Sequence, residues 1–96
     1  MAYEWDKIKA KLNEEKHGVS FNEAATVFDD PFFLVFPDPM HSTGEIRYLI
    51  LGESSASRVL LVVYTERQDE IRIISAREAS AKEVKLYEKE KFESLG

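Results

Sequence analysis

The sequence predicts an α+β fold: N-terminal helices, a small antiparallel sheet of about four strands, and a C-terminal helix laid against it. Three observations carry that expectation. Helix-start signatures, Ser20-x-x-Glu23 and Ser80-x-x-Glu83, stand toward either end of the chain. Between them lie four apolar segments punctuated by turn residues. One of these, residues 59–64 (VLLVVY), is apolar at every position, which suits a strand covered on both faces or lying mid-sheet.

Each element follows in order. Asp6 caps a first helix running to about Lys16, with Ile8 and Leu12 four apart as its apolar stripe and Trp5 anchoring its start. Lys16 and His17 occupy the last turn, where cations complement the helix dipole, and Gly18 takes the left-handed turn that ends it. His17 therefore has a structural role before any catalytic one. Ser20 opens a second helix to about Phe28, closed by "DDP". Next come "FFLVF" and an irregular "PDPMHSTG" loop, then "IRYLILGES", "RVLLVVYTE" and "IRIISA", joined by turns of hairpin length. In the final helix Val84, Tyr87, Lys91 and Leu95 lie near one face. Helices on one side cover only that side of the sheet, and the aromatic edge "PFFLVF" is a hazard if bare, so a protein partner is expected.

Composition narrows the function. Ninety-six residues make one domain, 1–96. There is no cysteine, hence no disulfide and no cysteine-based zinc site. The start lacks the apolar run of a signal peptide and the longest apolar stretch is too short for a bilayer, so the expectation is a cytoplasmic protein with no membrane association. Net charge is −5, with 18 acidic against 13 basic residues. General attraction to nucleic acid is thereby disfavoured, and any polyanion must meet a local basic patch.

No G-x-S-x-G, P-loop or H-E-x-x-H is present, and the two histidines are too far apart for a helical metal pair. What remains is arginine: Arg47, Arg58, Arg67, Arg72 and Arg77 all lie in or beside the strands. Any one of them is most simply a solvated charge or a carboxylate partner. Collectively they suggest phosphate binding, Arg72 inside "IRIIS" and Arg77 at the strand exit above all.

Three stretches carry a family likeness: "EWD..K...N..KHGVSF.EA..VF.DP", "HS.GE.R" and "L.VVYTER...IRIISAR.A...E...Y". In order and spacing, over almost the whole chain, they resemble BrnT, the toxin of BrnT/BrnA type II toxin–antitoxin systems. The resemblance implies a RelE-like fold and a ribonuclease that halts translation by RNA cleavage without metal or cofactor. It also implies neutralisation by a BrnA-like antitoxin with a ribbon-helix-helix part. Two toxins and two antitoxins would form a complex that touches operator DNA only through the antitoxin. The matching polar positions are His17, His41, Glu45, Arg47, Glu66, Arg67, Arg72, Arg77, Glu83 and Tyr87. Arg72 and Arg77 are expected as phosphate clamps, with His41, Glu66 or Tyr87 moving protons, and Arg47 and Arg67 binding RNA. Tyr87 also fits a core position. One departure stands out: the last helix, "SAKEVKLYEKEKFESLG", balances lysine against glutamate where the family is often arginine-rich, which weakens the basic patch. The competing reading is a non-catalytic corepressor that docks a DNA-binding antitoxin.

Overall fold

A computed structural model describes residues 2–38 and 44–96. Local chemistry sets the helix bounds. Asp6 is extended and its carboxylate accepts from the Lys9 N–H at 2.9 Å, so α1 runs Lys7–His17 and ends at Gly18 with φ 68°. Ser20 accepts from the Glu23 N–H and caps α2 (Phe21–Thr26), which tightens into a 3-10 turn over Val27–Asp29. Glu23 does not reach back to close the box; its carboxylate takes Arg58 and Ser54 instead. Ser80 and Glu83 do form the reciprocal box that opens α3 (Ala81–Leu95).

The strands are β1 (Ala2–Glu4), β2 (Leu34–Pro37), β3 (Arg47–Glu53), β4 (Val59–Arg67) and β5 (Glu70–Glu78). β2 to β5 form the expected antiparallel meander, and β4 is central, as its apolar faces require. Among the described residues the sheet nevertheless has five strands, not about four: β1 joins β5 in parallel, giving the order β1-β5-β4-β3-β2. Three residues pairing with the far end of the chain leave no local pattern to read.

Cross-strand partners share a face. On one face Ile50, Leu60, Val62, Tyr64, Ile71, Ile73 and Ala76 pack with Val19 and with Phe21, Ala24 and Val27 to make the main core. On the other, Leu51 and Leu61 meet Tyr87 of α3, with Phe32, Leu34, Leu49 and Val59 half-buried around them. No Cβ fits at Gly52, where it would stand 2.9 Å from Val27 Cγ1, so the 3-10 turn can lie directly on β3.

The inward stripe of α1 differs from the expected one. Ile8 and Leu12 are 73 % and 58 % exposed, while Ala10 packs on the core and Asn13 is buried. The reason is the edge of β5. β1 covers β5 only as far as Arg72, and beyond it the outward N–H and C=O of Ala76 need partners. The Asn13 amide supplies both: Nδ2 donates to Ala76 O at 2.9 Å and Oδ1 accepts from Ala76 N at 3.1 Å, while Nδ2 also donates to Val19 O at 3.0 Å. One side chain thus does the work of a missing strand. Asn13→Ala leaves three buried backbone groups unpaired and should cost about 2–3 kcal/mol of stability. Urea unfolding measures it, and a loss under about 0.5 kcal/mol would show the amide to be dispensable.

Candidate functional site

The arginines are sorted by register. Arg72 and Arg77 are five residues apart on β5, which in a regular strand would send them to opposite faces. β5 carries an extra residue, Ile74, opposite the Val63/Tyr64 step of β4. That bulge returns both arginines to one face, the face α3 partly covers. Three rows cross it: Leu34, Leu51, Leu61 and Arg77; Phe36, Leu49, Val63 and Ser75; and Arg47, Thr65, Arg72 and Glu4. Tyr87 packs in the first row. The face therefore grades from apolar beneath α3 to basic at the Arg47 row.

At that basic end Arg47, Arg67 and Arg72 converge with Lys9, Asp6 and Glu45 around a cavity of about 130 Å³. Four cations face two carboxylates, and the carboxylates are engaged. Asp6 caps α1, and Glu45 accepts from Arg67 Nε and Nη2, both at 2.9 Å. Arg72 Nη1 is 3.5 Å from Glu4 Oε1. Arg47 differs: its Nε is buried and has no hydrogen-bond partner among the described residues. The neighbouring backbone is fixed by the buried Thr65, whose Oγ1 donates to Ile46 O at 2.6 Å. A buried N–H without an acceptor is costly, and an anion in the cavity would supply one. The space is about four water volumes, so a phosphate group is of the right order.

The other expected residues lie elsewhere. Arg77 is about 13 Å along the sheet from the Arg72 row and grips Glu83 with two bonds of 2.8 and 2.9 Å. That grip holds the Glu83 carboxyl at about 2, and Arg77 is correspondingly raised. Arg77 thereby ties β5 to the head of α3, so it is not the unengaged strand-exit charge the sequence suggested. Arg58 is structural too, binding Glu23, Glu78 and Gly18 O. Glu66 lies on the opposite face, in the row of Ile71, away from Arg72. Tyr87 is 2 % exposed, and its hydroxyl donates to Asp30 Oδ2 at 2.5 Å. Burial first, then Asp30, pushes its phenol well above the ordinary range, which suits a structural pin and not a proton donor. His17 is exposed at the end of α1, and His41 lies outside the described residues. Lys9 and Asp6 were not anticipated as site residues, because only the tertiary fold brings the first turn of α1 to the strand arginines.

A small α+β protein with an arginine-lined cavity on one sheet face is the class this geometry defines. The model of the ribonuclease toxin BrnT, of type II toxin–antitoxin systems, matches residues 5–83. The chain belongs to that family. Among solved structures it is similar to the 1.1 Å crystal structure of the Brucella abortus ribonuclease toxin BrnT. The two share 24 % identity with a TM-score of 0.65, over 83 % of this chain and 99 % of the other, a likeness that speaks for the fold. Comparison with curated proteins gives no match. The family match closes at Glu83, so most of α3 lies beyond it.

The Arg77–Glu83 pair has a pH signature. A carboxyl depressed in the folded state contributes stability above its ordinary range near 4.5, and that stability is lost as pH falls toward 2. In Arg77→Ala the Glu83 titration should return toward 4.5 by NMR. The stability gap between wild type and variant, about 0.5–1 kcal/mol at neutral pH for a partly exposed pair, should close between pH 5 and 2. A gap constant with pH would mean that the pair is not formed in solution.

Proposed function

We propose that this chain is a metal-independent RNA endonuclease that blocks translation in the cytoplasm, with the scissile phosphate held in the cavity between Arg47, Arg67 and Arg72. The observation that carries this reading is the buried, unpartnered Nε of Arg47 in a cavity where cations outnumber carboxylates. RNA brings its own nucleophile. The ribose 2′-oxygen attacks the adjacent phosphorus, the bond to the 5′-oxygen breaks, and the products are a 2′,3′-cyclic phosphate and a 5′-hydroxyl. The protein must hold the phosphate, neutralise the charge that builds on its oxygens, and take the 2′ proton. Arg47 and Arg72 are the clamps. Glu45 is the base, since Asp6 is committed to capping α1 and Arg67 holds the Glu45 carboxylate beside the phosphate. Arg77, farther along the same face, and Ser75 between the rows extend the track for the rest of the strand. His41, four residues before Glu45 in the sequence and outside the described residues, is the candidate acid for the leaving oxygen.

The family implies an antitoxin partner, and we take it to be a BrnA-like ribbon-helix-helix protein in a 2:2 complex that contacts operator DNA through the antitoxin alone. A non-catalytic corepressor is favoured by one observation, the near balance of lysine and glutamate along α3, which removes cations from the rim of the open face.

Arg47→Ala and Arg72→Ala should each lower RNA cleavage in a translation extract roughly a hundredfold, the loss of about 3 kcal/mol of charge-assisted stabilisation. Their unfolding free energies should shift by under about 0.5 kcal/mol, and lysine should restore little if the contacts are bidentate. Folded variants that cleave RNA and arrest growth like wild type would remove the cavity from the mechanism, and a wild type that cleaves nothing without its partner would favour the corepressor.

A further inference from the structure

The opposite face of the sheet carries a second surface that RNA chemistry does not use. α1 and α2 cover only part of this face, and past the 3-10 turn a groove of about 410 Å³ crosses every strand, with Val35, Ile50, Tyr64, Ile71 and Tyr3 on β2, β3, β4, β5 and β1 along it. Phe28 and Phe33 also line it, Phe28 stacking edge-on to Tyr64 with ring centroids 5.0 Å apart. Its mouth lies at the β2 edge, where Phe33 and Val35 are 44 % and 43 % exposed. Among the described residues, the charged ones on the rim are Asp29 and Glu66, and no lysine or arginine lines it. Glu66 continues into a second acidic depression with Asp69 and Glu70 at the β4–β5 turn.

We infer that this groove seats a basic segment of the antitoxin carrying an apolar anchor. The inference rests on the toxin–antitoxin reading and places the partner on the face away from the arginine cavity. Charge complementarity selects the occupant. RNA is excluded because a polyanion would meet Asp29 and Glu66 with no cation beside them. A second copy of this chain, itself at net charge −5, would bring an acidic rim against an acidic rim. A lysine or arginine side chain has what the site lacks: an aliphatic stem for the aromatic floor and a cation for the rim. Asp29 and Glu66 also act on the neighbouring phenols. The Tyr3 and Tyr64 hydroxyls are raised, by burial first and then by Asp29 and Glu66 respectively. The apolar β2 edge, Leu34–Pro37, has no charged residue to guard it, so a covered state is also what the sheet requires.

The test is calorimetric titration of the full chain with the purified antitoxin encoded beside it, at two salt concentrations. The double variant Asp29→Lys, Glu66→Lys should weaken binding at least a hundredfold and abolish its salt dependence. Phe33→Ala should weaken it about tenfold, and Arg47→Ala should leave it within twofold. Both groove variants change exposed side chains, so circular dichroism should match wild type, and if the charge variant does not fold, Phe33→Ala alone decides. Groove variants that bind like wild type would overturn the inference and leave the toxin reading standing. A wild-type chain that binds no antitoxin would overturn the pairing itself, and the inference with it. Sedimentation showing a wild-type dimer that the groove variants dissolve would assign the groove to self-association instead.

Discussion

The whole arrangement depends on the two apolar faces of β4. A strand reading VLLVVYTER has no side it can give to water along most of its length, so it must lie mid-sheet with cover above and below. α1, α2 and the 3-10 turn cover one face with the main core, and α3 brings a single buried side chain, Tyr87, to the other. Cover is thus unequal, and the uncovered part of each face is where chemistry is available. On the α3 side the uncovered end of the face carries Arg47 and Arg72; on the helix-pair side the groove has Ile50, Tyr64 and Ile71 buried in its floor and an acidic rim. The positions of both surfaces are consequences of where three short helices run out.

Asp30 shows how the thinner layer is held. Burial raises its carboxyl, but hydrogen bonds from the Glu53 N–H, the Tyr87 hydroxyl and the Phe32 N–H outweigh that, leaving it below the ordinary range. One carboxylate thereby joins the loop before β2, the end of β3 and the middle of α3. The Arg77–Glu83 pair fixes the head of the same helix. With a further ion pair from Lys91 Nζ to Glu53 Oε1 at 3.9 Å and little apolar area, α3 is attached at points and not along a seam, and its far end, with Phe92 and Leu95 78 % and 68 % exposed, makes little of the core.

What the sequence showed and what it hid divide along the range of the interactions involved. The caps at Asp6, Ser20 and Ser80, the left-handed Gly18 and the hairpin-length turns are local chemistry and were readable as such. β1 was not, because a three-residue parallel strand is stabilised by a partner that no neighbouring residue announces. The stripe of α1 misled for a related reason: Ile8 and Leu12 have helical spacing, but the inward position went to Asn13, whose worth comes from an unpaired β5 edge more than sixty residues on. At the site, strand arginines were legible as a group, and period-two alternation along β4 would have separated Glu66 from Arg67 had the buried face been known. The bulge at Ile74 was invisible in the sequence, yet it alone brings Arg72 and Arg77 to one face.

An acidic chain can carry an anion site and a cation-seeking groove together because fields at a protein surface are short-ranged. The Debye length at physiological salt is about 8 Å, close to the roughly 10 Å that separates packed layers in a sheet protein. Each face therefore presents its own potential. The net charge of −5 chiefly governs the distant approach of any charged partner. At contact, the four cations around the Arg47 cavity dominate on one face, whereas Asp29 and Glu66 dominate on the other. The sheet between the two faces keeps the arginine-lined cavity and the acid-rimmed groove apart.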